Sequence, residues 1–217
     1  MSDISWNEPS ENYSEASLGV PSDSVVVPKS FVDKTLQFFT VRLARSLAHI
    51  TWITPNRISW LSGGLGGPLA GWFIVQENYL LSVLLIIVSG LLDCLDGDLA
   101  RERGIASSEG DILDSVLDRY VDFFIISALI LGSPNDYLIP GLLALLGTTM
   151  VPYIRAKSEA QGKSTVVSIG SRATRTILII FGLLTRQIFA LLIVLAVISN
   201  IAAIHRFIFA LMTKKDD

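Results

Sequence analysis

Apolar stretches long enough, or nearly long enough, to cross a bilayer recur six times in this 217-residue chain, which leaves no single water-soluble core for it to build. They fall at about 56–76, 79–100, 112–133, 137–158, 173–185 and 187–211, the fifth being the shortest. Hydrophobic residues are 51% of the chain and its mean hydropathy is +0.55. A chain inside hydrocarbon must satisfy its own backbone hydrogen bonds, and these runs lack the two-residue alternation of barrel strands. The expectation is an all-α integral membrane protein with six transmembrane helices.

Two further segments precede the spans. Residues 1–28 hold Asp3, Glu8, Glu11, Glu15 and Asp23 without a basic residue, and they lack the charged start and apolar centre of a signal peptide. They read as a disordered tail. Residues 29–50 place Lys29, Lys34, Arg42 and Arg45 among Phe31, Leu36, Phe38, Leu43 and Leu47, the pattern of an amphipathic helix lying on the membrane surface. The six-helix domain then occupies 51–212, and 213–217 form a short tail.

Basic residues orient the spans. With six crossings, every Lys and Arg except Arg186 lies at or near one face, together with both termini. Positive charge is retained on the cytoplasmic side. The chain is therefore expected in the cell membrane as a multi-pass protein with both termini in the cytoplasm. The lone Cys94 excludes an internal disulfide.

Into the ends of two of these spans the chain writes DCLDGDLAR, eight residues, then GDILDSVLD. An ionisable group within a transmembrane helix costs about 2.5–3.5 kcal/mol on insertion scales, and such residues mark function by default. Asp93 and Asp96 are three apart and Asp114 and Asp118 four apart, so each pair shares one helix face. A short cytoplasmic loop makes the two helices antiparallel neighbours and brings the pairs to similar depth. Four converging carboxylates cannot all stay ionised without a cation, and hard oxygen donors select Mg²⁺ or Mn²⁺ over zinc. Two ions about 3.5–4 Å apart would suit the ligand count and an in-line displacement at phosphorus. Gly97 and Ala100 leave room for a ligand, and Arg101 offers a fork of donors to a phosphate. A competing account is a salt-bridge network with Arg101, Arg103 and Arg119. Another is a cation transporter, but an ion path needs acids near mid-membrane, and these lie at the cytoplasmic helix ends beside an arginine-lined loop.

The pattern D-x-x-D-G-x-x-A-R, eight residues, G-x-x-x-D-x-x-x-D resembles the signature of the CDP-alcohol phosphatidyltransferases. Its fixed positions are Asp93, Asp96, Gly97, Ala100, Arg101, Gly110, Asp114 and Asp118. The resemblance implies a dimeric six-helix membrane fold with a preceding amphipathic helix and a cytoplasmic active site. It implies transfer of a phosphatidyl-type group from a CDP-linked lipid to an alcohol, with release of CMP. Carried over by position, Asp93, Asp96 and Asp114 would bind one metal ion. Asp93, Asp114 and Asp118 would bind a second, with Asp118 also accepting the proton. Gly97, Ala100, Arg101 and Ser107 would line the CDP-lipid site with Thr54, Pro55, Asn56 and Arg57, which resemble the family's T-P-N opening of the first span.

The second half of the chain bears on the acceptor. Tyr153–Glu159 (YIRAKSE) and Ser171–Arg175 (SRATR) resemble the Y-x-[KR]-A-[KR]-x-E and E-R-x-E-R segments of the phosphatidylinositol-phosphate synthase branch and its archaeal ether-lipid counterparts. Ser171 and Thr174 depart from that pattern, where bacterial members carry glutamates. A cationic pocket of Arg155, Arg175 and Arg206 would suit a phosphorylated alcohol, with L-myo-inositol 1-phosphate expected. Glycerol 3-phosphate, serine, or a soluble di-inositol-phosphate product stay open as alternatives. Membrane lipids and a second copy of the chain are expected partners, and nucleic acid is not. Asp122, one turn beyond Asp118, either touches the acceptor or pairs with Arg119. Gly63, Gly67 and Gly71 read as close helix packing rather than as a phosphate loop.

Overall fold

The computed structural model describes residues 40–163 and 172–213, all of whose regular structure is helical. The acidic segment 1–28, the first part of the amphipathic stretch (29–39), the segment 164–171 and residues 214–217 lie outside the described residues. A first helix, α1, runs over 40–47. The first apolar stretch is α2 (Pro55–Gly64), a π-helical turn (Leu65–Leu69) and α3 (Ala70–Val75) in one continuous rod. The others are α4 (Tyr79–Glu102), α5 (Ser108–Gly132), α6 (Pro134–Glu159), α7 (Arg172–Thr185) and α8 (Ile188–Met212).

The boundaries follow local chemistry. Thr54 caps α2 by accepting from the Arg57 N–H, with Pro55 at the first helical position, where its missing donor is harmless. Ser107 caps α5 through the Gly110 N–H at 3.2 Å, and Asn78 caps α4 through the Leu81 N–H at 3.3 Å. Gly104, at φ +64°, ends the path out of α4, a backbone that L side chains adopt only with strain. Pro68 lies inside the π turn, where it removes one N–H from the helical ladder.

Four helical rods are long and apolar enough to cross a membrane: Pro55–Val75, Tyr79–Glu102, Pro134–Glu159 and Ile188–Met212. The other two expected crossings differ. Helix α5 has the length but carries Glu109, Asp111, Asp114, Asp118, Arg119 and Asp122, and α7 has 14 residues, about 21 Å of rise. Each helical rod nevertheless coincides with one of the six apolar stretches to within a few residues.

Small residues set how closely the rods approach. A β-carbon on Gly63 would stand 3.1 Å from Leu117, on Gly67 3.3 Å from Phe124, and on Gly71 3.2 Å from the Phe124 carbonyl oxygen, so all three glycines face α5. The packing expectation for them holds. Ser62 and Ser89 exchange hydrogen bonds with each other's carbonyls at 2.9 Å, tying α2 to α4. The main core joins Ile74, Ile86, Ile126, Leu129, Leu183, Leu192 and Leu195 from the middle of the bundle. Trp60, Trp72, Leu80, Phe181 and Ile201 are among many large apolar side chains left exposed, as suits a surface that meets hydrocarbon.

Helix α1 packs on the last turns of α4 through a smaller core of Ala44, Ile58, Leu95 and Leu99. Arg103 fastens it there. Its guanidinium donates to the carbonyls of Leu47, Ala48, Ile50 and Ile53 at 2.7–3.1 Å, satisfying the orphaned acceptors at the end of α1 and in the turn to α2. Arg103 is thus engaged with backbone and not with the motif aspartates.

Candidate active site

A cavity of about 470 Å³ opens where the first turns of α2 and α5 meet the last turns of α4. Its wall includes Thr54, Pro55, Asn56, Asp93, Cys94, Asp96, Gly97, Ala100, Arg101, Ser107, Gly110 and Asp114. Both the T-P-N segment and the double-aspartate motif therefore border one space, though the intervening sequence contains a full hairpin of helices. Two helix N-termini converge on it, and their free N–H groups and dipoles favour an anion there. Arg57 is not on the wall. Its guanidinium donates to the Trp52 carbonyl at 2.6 Å and closes the turn that leads into α2.

Carboxylate oxygens of Asp93 and Asp114, both on the cavity wall, lie within 4.8 Å of one another and of an oxygen of Asp118. Two come from successive turns of α5, as their spacing predicts, but only one from α4: Asp96, expected to converge with Asp93, is not in the group. Asp96, buried one turn along α4, accepts a hydrogen bond from Ser59 Oγ at 2.5 Å. Among the described residues the triad is an all-oxygen, partly buried donor set, and it suits a hard divalent cation. A positive group already stands among these oxygens. Arg172, the first residue of α7, donates to Asp93 Oδ2 at 2.5 Å and approaches Asp118 Oδ1 at 2.7 Å. Its guanidinium stands in for the positive charge of a metal ion, and the donor set fits such an ion.

The salt-bridge account of the cluster fails for two of its three arginines. Arg103 is taken up by carbonyls, and Arg101 pairs at 2.7 Å with Asp98, an acid outside the motif. Arg119 reaches Asp118 only at 3.7 Å. Asp122 corrects the sequence reading more sharply. It pairs with Arg175 at 3.0 Å rather than with Arg119. Arg175 is 3% exposed, also donates to the Thr148 carbonyl at 3.3 Å, and its Nε has no partner. Arg155 pairs with Glu159 at 2.7 Å on an exposed face, and Arg206 donates to the Val151 carbonyl at 3.4 Å.

Sequence reasoning missed Asp98, Ser59 and Arg172 as site neighbours. The Asp98–Arg101 pair is legible as an i,i+3 contact. Ser59, one turn into α2 from the T-P-N segment, and Arg172, 79 positions from Asp93, carry no local signal of their partners.

The family model for CDP-alcohol phosphatidyltransferases matches residues 52–212, and the chain belongs to that family of enzymes. An archaetidylinositol phosphate synthase of Pyrococcus horikoshii is 33% identical over 166 residues, covering 76% of this chain and 87% of the relative. The protein of that name from Methanothermobacter thermautotrophicus is 39% identical over 155 residues, or 69% and 79% of the two chains. Among solved structures, the phosphatidylinositol phosphate synthase of Mycobacterium tuberculosis with CDP-DAG bound superposes with a TM-score of 0.74 at 23% identity, covering 81% of this chain and 95% of that one. The same enzyme has been solved with manganese and citrate, at a TM-score of 0.73. These likenesses establish a shared fold.

Proposed function

We propose that this enzyme transfers a phosphatidyl-type group, on a diacylglycerol or archaeol backbone, from a CDP-linked lipid to L-myo-inositol 1-phosphate, releasing CMP. The observation that carries this reading is one cavity in which two helix N-termini and Arg101 adjoin Asp93 and Asp114, with Asp118 within 4.8 Å of both. Relatives named for inositol-phosphate acceptors support the choice of alcohol.

The roles follow from position. Thr54, Pro55, Asn56, Gly97, Ala100, Arg101 and Ser107 hold the nucleotide and its diphosphate, with N–H groups and a guanidinium aimed at anionic oxygens. Asp93, Asp96, Asp114 and Asp118 would hold two Mg²⁺ or Mn²⁺ ions, which would supply charge neutralisation to the diphosphate and the leaving CMP. The acceptor hydroxyl oxygen forms a bond to the lipid-side phosphorus while the bond from phosphorus to CMP breaks. Asp118 takes the hydroxyl proton. Arg155, Arg175 and Arg206 receive the acceptor's phosphate from the α6, α7 and α8 side. No covalent intermediate is required: the acceptor hydroxyl attacks phosphorus directly, and Ser59, a cavity hydroxyl bonded to a carboxylate, serves as a hydrogen-bond donor to Asp96.

The surrounding architecture in this reading has six transmembrane crossings, with α5 and α7 completing the four that stand on composition. The amphipathic stretch 29–50 lies on the cytoplasmic surface, the active site faces the cytoplasm, and two copies associate. The test is a membrane assay with CDP-lipid and a panel of inositol 1-phosphate, glycerol 3-phosphate, serine and free inositol. Preference for inositol 1-phosphate is expected. Preference for serine or free inositol would overturn the acceptor and leave the family reaction.

A further inference from the structure

The last turns of α4 carry a fifth acid, Asp98, that the motif does not use. Five residues beyond Asp93, it stands about 140° round the helix axis from it and turns away from the triad. It is nevertheless only 6% exposed. Both of its oxygens are engaged. Oδ1 receives Nη2 of Arg101 at 2.7 Å, and Oδ2 receives Oγ1 of Thr40, from α1, at 2.5 Å. Thr40 is itself 2% exposed. The Arg101 side chain is 65% exposed, borders the cavity and lies across the bare face of Gly97, where an added β-carbon would stand 3.3 Å from Nη1.

Stability does not account for this arrangement. An ion pair with one exposed partner adds little, and burying a carboxylate is costly unless its lone pairs are met. What the arrangement does achieve is a fixed guanidinium. A four-bond arginine side chain at a cavity mouth has many rotamers, and the buried carboxylate selects one of them. Binding to an arginine already held in place costs less ordering entropy than binding to a free one.

We propose that Asp98 is the positioning residue of the CDP-lipid site, holding Arg101 over Gly97 for the diphosphate, and that Thr40 makes the seat of α1 part of that site. The inference rests on the CDP-lipid reading above. Through Thr40, the docking of α1 sets where Asp98 points, and Asp98 sets where Arg101 points. Arg45 to Glu102 at 3.5 Å and the four carbonyl contacts of Arg103 clasp α1 to the same turns of α4.

The test uses the full chain in lipid vesicles, with CDP-lipid binding measured directly beside steady-state kinetics. Asp98→Asn should raise the Kd and KM for CDP-lipid about tenfold, the loss expected for one charge-assisted bond, while kcat and the acceptor KM stay within about twofold. Thr40→Val should move the same constants in the same direction by less, and Thr40→Ser should restore them. In an Arg101→Ala background, Asp98→Asn should add nothing further. The proposal is overturned if Asp98→Asn binds CDP-lipid as the native chain does, if its effect adds fully to that of Arg101→Ala, or if kcat falls while both KM values rise together. Native chain that binds no CDP-lipid would instead overturn the functional reading, and this inference with it.

Discussion

The guanidinium of Arg172 stands 2.7 Å from Oδ1 of Asp118, the carboxylate assigned to take the acceptor's proton. The same group donates to Asp93 Oδ2, so one arginine spans two of the three triad carboxylates. A metal ion bound through these two oxygens would compete with Arg172, which also covers one of the two oxygens of Asp118.

That competition gives the first prediction. Arg172→Ala should lower the stability of the metal-free protein by about 1–3 kcal/mol, because carboxylates lose their partner. Mn²⁺ should restore it, with a larger rise in Tm for the variant than for the native chain. Thermal unfolding with and without Mn²⁺ reads both. An equal metal response in the two proteins would show that Arg172 and the ion do not share ligands.

Activity should vanish on chelation and return with Mg²⁺ or Mn²⁺. Asp93→Asn and Asp114→Asn should each abolish turnover, since both are assigned to both ions. A purified variant that still turns over would rule out two metals sharing these ligands.

Asp118→Asn should lower turnover by about 10²–10⁴, the span of general acid–base contributions, while CDP-lipid binding largely survives. Equal losses in binding and turnover would make Asp118 an organiser of ligands and not the base.

Cys94 is exposed on the cavity wall and is the chain's only cysteine. Maleimide labelling should therefore reach one group per chain and slow markedly when CDP-lipid is bound. Labelling indifferent to CDP-lipid would place the nucleotide elsewhere.

The Asp122–Arg175 pair separates structure from acceptor binding. Asp122→Ala leaves a buried guanidinium unpaired and should destabilise the fold by about 3–5 kcal/mol. Asp122→Leu combined with Arg175→Met should recover most of that stability, yet raise the acceptor KM or abolish activity. A double variant with native acceptor kinetics would make Arg175 purely structural.

Much of this was written locally. Asp114 and Asp118 share a helix face because they are four residues apart, and a loop of five residues between α4 and α5 makes that face adjacent to the one carrying Asp93. The helix starts at Thr54 and Ser107 follow from capping residues beside Pro55 and Gly110, and the glycine ladder of the first rod follows from four-residue spacing. What the sequence could not supply is partner choice between distant elements. Ser59 on Asp96, Arg172 on Asp93 and Asp118, Arg175 on Asp122, and Thr40 on Asp98 join residues 37 to 79 positions apart. A charge in the sequence says that a partner is needed; low dielectric makes an unpaired one costly, but only packing decides which opposite charge arrives. Periodicity determined the helices and the carboxylate faces. The docking of α1 and α7 onto the ends of α4 and α5 decided which partner each arginine and aspartate meets.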